Sequence, residues 1–210
     1  MPLRIIRRAI AIVSAAGALI GIGAQAAAVE PIGGFLNQPL AEVQKSGFFT
    51  WFNLAETRRE PAAGGGNKID FQPTGDKFHD LALVVVTVNS AMAIQRMDLV
   101  LKRSFIASPT SGVFASDIAK SFIAGAPPRD DGEALSTLAN EIQYRAKSSQ
   151  QIIVGPGYSP PALPDPPTAA YEAYVGKRRE VTKKLSHCDF GIENERPTDS
   201  DQLRMYFSVK

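Results

Sequence analysis

Two apolar stretches separated by five residues constrain this chain more than any other feature. Leu81 to Val88 is a run of apolar and β-branched residues, and Ile94 to Ile106 sets Met97, Leu99, Leu101 and Phe105 against Asp98, Lys102 and Ser104. Alternation of period two marks a strand with one face inward. A connection as short as Asn89 to Ala93 permits antiparallel pairing only, because parallel neighbours need a crossover of a dozen or more residues. The two runs are therefore predicted to form a hairpin. Val100 and Ile106 make the outer face of the second strand less polar than usual, so another chain is expected to cover it.

The same periodicities place the other elements. Leu203, Met205, Phe207 and Val209 alternate with Arg204, Tyr206, Ser208 and Lys210, a strand with one wet face. Ile69–Gln72 and Gln151–Val154 are short strand candidates. Phe48-Phe49-Thr50-Trp51-Phe52, four aromatics in five residues, predicts a strand buried on both faces or a strand edge entering the core. Glu56 to Asn67, with its Gly-rich part at 60–67, reads as a flexible loop, and the Pro-rich stretch 155–167 as an extended connector.

Helical spacing predicts four further elements. Asn37–Ser46 carries Pro39 in its first turn and stops at Gly47. Phe114, Ile118 and Phe122 repeat at i, i+4, i+8 behind a Ser111 N-cap and before Gly125-Ala126-Pro127-Pro128. Asp131 is expected to cap a helix with Leu135, Leu138 and Ile142 inward and Glu133, Asn140, Glu141 and Arg145 in water. Asp165 to Thr168 opens a helix with Tyr171, Tyr174, Val175, Val181 and Leu185 on one side and a basic remainder, Lys177, Arg178, Arg179, Lys183 and Lys184. Strands grouped before helices imply an α+β fold: a mainly antiparallel sheet with helices packed on one face, in a single domain over 27–210.

Residues 1–26 read as a cleaved signal peptide. Arg4, Arg7 and Arg8 precede an apolar stretch from Ala9 to Ile22, and Ala24-Gln25-Ala26 fits the cleavage rule. The formal charge of +2 becomes −1 once those three arginines are set aside, so no overall basic charge recruits nucleic acid. The apolar stretch is shorter than the roughly 20 residues of a membrane span, and no stable span is expected after cleavage. The expected location is periplasmic or secreted. A lone Cys188 closes no internal disulfide, so the fold must stand on its core.

No motif demands a particular chemistry. Gly-x-Ser-x-Gly and Ser-x-x-Lys are absent from the sequence, and its two histidines are His79 and His187. A catalytic Cys188 would need a neighbouring imidazole to lower its pKa, yet residues adjacent on a strand, such as His187 and Cys188, point to opposite sides. Ligand spacing for a metal is thin, and neither a metal nor a cofactor is expected. Trp51, Phe49 and Phe52 are the candidate lining of an apolar ligand pocket, and Lys177, Arg178, Arg179, Lys183 and Lys184 the candidate contact for an acidic partner. The expectation is a non-catalytic envelope protein that binds a partner protein or a small apolar ligand. A small exported hydrolase or thiol enzyme using Cys188 with a histidine, and an accessory subunit of an envelope complex, are the alternatives.

Overall fold

The computed structural model describes residues 34–75, 77–149, 162–195 and 201–210. The signal-peptide reading, the strand expected at Gln151–Val154 and most of the connector 155–167 lie outside them. Strands β1 (Leu54–Pro61), β2 (Asn67–Pro73), β3 (Ala82–Val88), β4 (Ile94–Lys102), β5 (Glu180–Lys184), β6 (Cys188–Glu195) and β7 (Gln202–Val209) form one sheet. Its order is β1-β2-β3-β4-β7-β6-β5, antiparallel at every pairing.

The predicted hairpin is β3–β4. Asn89 Oδ1 accepts from the N–H groups of Ala91 and Ala93, and Met92 takes the left-handed φ of 61° that closes the turn. Register pairs Val84 with Leu99 and Val86 with Met97, and β7 adds Met205 and Phe207 to the same rows. These side chains all join one buried cluster, as the alternation of β4 and β7 requires.

The order of elements departs from the sequence reading in four places. Phe48–Phe52 is not a strand: α2 (Gly47–Trp51) follows α1 (Leu40–Val43), with Phe48, Phe49 and Phe52 buried while Thr50 and Trp51 are exposed. Inward positions at i, i+1 and i+4 are helical, and neighbours on a one-sided strand cannot both face inward. Glu56–Asn67 is not a loop but most of β1, the turn 62–66 and the start of β2, where Gly64 and Gly65 adopt φ of 86° and 85°. The ion pair Arg59–Glu56 at 2.7 Å flanks a register shift in that hairpin. The long run ending at Ile106 stops as a strand at Lys102, and α3 (Arg103–Ile106) carries Phe105 into the core. Finally, Thr168 caps α7 (Ala169–Tyr174), and Gly176 at φ 83° ends it, so Val181 and Lys183 belong to β5.

Helices α4 (Gly112–Gly125), α5 (Arg129–Glu133) and α6 (Ser136–Ser149) complete the layer over the sheet. Ser111 stands before α4 without a side-chain cap, although Phe122 and its neighbours bury as predicted. The Phe122 ring lies 5.5 Å from Phe207 and 6.0 Å from Phe48, which itself meets Phe35, Phe49 and Phe52 within 5.9 Å. Glu141 does not face water: it is fully buried, pairs with Arg145 at 2.9 Å and accepts from the Thr168 hydroxyl at 2.6 Å. That carboxylate ties α6 to the start of α7. Among the described residues no helix is long and apolar enough to cross a membrane.

Among the described residues no helix lies over the opposite face of the sheet. Asp98 nevertheless is buried, gripped by Arg96 through Nε and Nη2 at 2.9 and 2.7 Å. The Arg96 guanidinium lies 4.3 Å from the centroid of the Tyr206 ring. That ring covers Gly191, where a Cβ would sit 2.4 Å from ring carbons. Val100, whose apolarity predicts a covering chain, is already buried on this face within the chain's own side chains, as is Val85.

Candidate functional site

The helix α2 turns Trp51 outward because its three sister rings occupy the inward positions. Trp51 is 75% exposed, and it is the one large hydrophobic residue so exposed among the described residues. It stands beside a cavity of about 560 Å³ between α2, α4, α5 and α6. The wall is Phe48, Ile123, Pro127 and Ala139 with the small residues Gly125 and Ala124. Gly125 is small for a reason: a Cβ there would come within 2.6 Å of the Phe35 ring, so the α4 terminus stays close to the segment that carries Phe35.

Polar groups at the rim are already engaged with one another. Lys120 Nζ donates to Gln143 Oε1 at 2.7 Å, Gln143 donates to Asp117 at 2.9 Å, and Arg129 pairs with Glu133 at 3.1 Å. What the cavity offers a ligand is therefore mainly apolar surface, with Ser121, Ser136 and Asn140 as further polar lining, the usual composition of small-molecule sites. Of the three aromatics predicted to line a pocket, Trp51 does so. Phe49 and Phe52 instead bury in the core, Phe49 edge-on to Phe71 at 5.1 Å and Phe52 to Phe114 at 5.5 Å. The pocket lies between helices, with no sheet residue in its wall.

The chain matches no family model, curated protein or solved structure. Its chemistry is read from its own residues.

Cys188 is fully buried at the start of β6, and His187 before it is exposed, so the two do diverge. The partner of the thiol is a carboxylate: Sγ donates to Asp131 Oδ2 at 3.3 Å. Asp131 also accepts from the N–H groups of Ser186 and His187 at 2.8 and 2.9 Å, with the His187 ring 3.7 Å away. Asp131 is thus not the expected helix cap but a strut from α5 to the β5–β6 turn. Burial, then the hydrogen bond and charge of Asp131, push the Cys188 thiol up to about 12. A nucleophilic cysteine needs the opposite shift and an imidazole in contact. His79 lies on the β2–β3 connection beside Asp80 at 3.1 Å, separated from β6 by β3, β4 and β7. Among the described residues no group of three or more His, Cys, Asp or Glu side chains is placed to hold a metal.

The basic residues are not on a helix as the sequence suggests. Lys177, Arg178 and Arg179 follow α7 in a turn, and Lys183 and Lys184 lie on β5, the last strand of the sheet. Arg178 pairs with Glu172 at 3.2 Å and Lys183 donates to the Ala134 carbonyl at 3.3 Å. Lysines on an edge strand oppose edge-to-edge aggregation. Sequence reasoning missed Ile123, Pro127 and Ala139 in the cavity wall, since only the helix-to-helix packing brings them together.

Proposed function

We propose that this is an exported, non-catalytic binding protein that takes a small apolar ligand in the cavity beside Trp51. The observation that carries the reading is the exposed indole at a concave, mainly apolar wall whose rim charges already have partners, Arg129 with Glu133 and Lys120 with the Gln143 amide. Leaving such a ring in water forgoes on the order of 2 kcal/mol of burial, which a ligand recovers by covering it. The buried, carboxylate-bound thiol favours binding over thiol chemistry. Export is supported by the basic, apolar and small-residue order of residues 1–26.

Trp51 is the sole tryptophan of the chain, so its emission reports the site without labelling. Titration with the neutral probe N-phenyl-1-naphthylamine is expected to quench and blue-shift the indole saturably. In Trp51→Ala, probe fluorescence should show affinity weakened by about tenfold with the fold intact. No saturable change in the wild type, or unchanged affinity in Trp51→Ala, overturns the reading. Export is checked separately by the intact mass of the chain recovered from the envelope of its host, expected to correspond to a cut after Ala26.

A further inference from the structure

The sheet has two edges, and they are guarded by different means. On β1 the ladder is interrupted by the register shift between Glu56 and Arg58. The Ala62 N–H donates to the Gly66 carbonyl, so the residue before it, Pro61, faces the edge, where it has no N–H to offer. The charges of that edge answer one another, Arg59 with Glu56 and Arg58 with Glu60. A bulge and a proline turn away any strand, whatever its charge.

The β5 edge has neither device. Its register with β6 runs unbroken from Glu180 opposite Glu193 to Lys184 opposite Asp189. The Leu185 N–H donates to the Cys188 carbonyl and the Asn194 N–H to the Arg179 carbonyl, at 2.9 and 2.8 Å. Hydrogen bonding alternates along an antiparallel pair, so the odd-numbered residues of this stretch bond to β6 and the main-chain groups of Glu180, Thr182 and Lys184 point away from the sheet. All three residues are exposed, and among the described residues no strand lies beyond β5 to receive them.

What guards this edge is charge of one sign. Lys177, Arg178 and Arg179 stand before its first residue and Lys183 and Lys184 at its end, all of them exposed. Among the described residues Arg178 is the one of these cations held in an ion pair, with Glu172, while Lys183 donates to a neutral carbonyl. Glu180 is the single acid from 177 to 184. Like charge keeps two copies of β5 apart, but charge discriminates by sign where a bulge or a proline does not.

We infer that β5 is a docking edge for an acidic, extended segment of a partner protein, which adds to the sheet as a further strand. The partner's main chain pairs with Glu180, Thr182 and Lys184, and its carboxylates meet the cations at the two ends of β5. Main-chain pairing supplies the affinity and the charges select the partner. A small anion would answer the charges and leave the main-chain row empty, and a neutral strand would do the reverse. The inference is independent of the Trp51 cavity, none of whose wall comes from β5.

The test is a titration of the isotope-labelled full chain, followed by amide NMR, with the acetylated and amidated peptide Glu-Glu-Thr-Val-Thr-Glu-Glu. The peptide reads the same in both directions, so in either orientation it sets a threonine against Glu180 and carboxylates against the flanking cations. Saturable shifts along β5 are expected, with hydrogen exchange slowed at Glu180, Thr182 and Lys184 and unchanged at Val181 and Lys183, which already bond to β6. A counterpart with alternate amides N-methylated, made in both phases, should lose about tenfold in one phase and little in the other. Thr182→Pro removes an edge-facing N–H without touching the β5–β6 ladder, so affinity should fall about tenfold while the melting temperature changes little. Should that variant fail to fold, the methylated peptides decide the matter on the wild-type chain. Lys184→Glu should weaken the peptide about fivefold. The inference is overturned by the absence of saturable change at the three edge amides, by equal binding of the peptide with lysine in place of glutamate, or by methylated peptides that bind alike in both phases, which would reduce the contact to charge. It is equally overturned if vesicles of phosphatidylglycerol shift these residues and the peptide does not, which would assign the basic edge to a lipid surface.

Discussion

The two faces of the sheet are buried by opposite means. On the helix side, Met97, Leu99, Met205 and Phe207 vanish under the aromatic rings of α2 and α4. On the other, Asp98, Val85 and Val100 are buried by Arg96, Tyr206 and neighbours, with no helix laid over them among the described residues. The first arrangement draws on apolar area and close packing, which are insensitive to salt. The second is a short-range lattice of charge, ring and methyl whose covering side chains, Arg96 and Tyr206, are themselves partly wet, so they contribute little singly. One face fixes the fold, and the other closes the sheet's back surface against neighbours.

Substitutions at three positions sharpen or break that contrast. Phe122→Ala strips the ring that joins Phe48 to Phe207 and should lower stability by about 4 kcal/mol in urea unfolding, unchanged by salt. A loss below about 1 kcal/mol would mean that the rings repack freely and the contrast is empty.

Asp131→Ala probes whether the helix side is held by packing alone. It orphans two N–H groups and a thiol, so a loss of about 2–3 kcal/mol is expected. Burial by itself would raise the pKa of Asp131, but the hydrogen bonds from His187, Cys188 and Ser186, helped by the His187 ring, hold it below its ordinary value. A depressed carboxyl pKa adds stability that is full above the unfolded value near 3.9 and lost as pH falls through the folded one. The gap between wild type and Asp131→Asn should therefore narrow as unfolding is followed from pH 6 to below about pH 3. A gap that stays constant would show that the carboxylate charge is not what holds the β5–β6 turn.

The smallest effect is expected on the open face. Arg96→Ala removes the grip on Asp98 and the cation over Tyr206, yet Arg96 is 37% exposed, so about 1 kcal/mol or less is expected. That loss should shrink further in roughly 1 M salt, where the screening length is about 3 Å. A loss as large as that of Phe122→Ala would make the two faces energetically equal.

Much of the fold was legible because strand alternation is local. The β3–β4 hairpin, the wet strand β7 and the stripe of α4 each follow from residues close in sequence. Phe48–Phe52 misled because ring content favours strands while inward spacing decides, and that spacing becomes visible only against the Phe35, Phe71 and Phe122 rings. Asp131 read as a helix cap and Glu141 as a surface acid because their donors, at 186–188 and at 145 and 168, lie apart from them in the chain or across a helix turn. The Trp51 part of the cavity was foreseeable from aromatic density. Its remaining wall depends on how α4 meets α6, and no local pattern encodes that.

The strand order carries one further consequence. β7 is the last strand in sequence and yet lies between β4 and β6, so it is the seam that joins an early meander of four strands to a later pair. A growing chain that has not yet delivered residues 202–209 holds two half-sheets with no strand to join them, and the hydrogen-bonding edge of β4 stays open. Closure of the sheet is a long-range event that follows synthesis of nearly everything before it, the kind of pairing that folds slowly and leaves a strand edge exposed meanwhile.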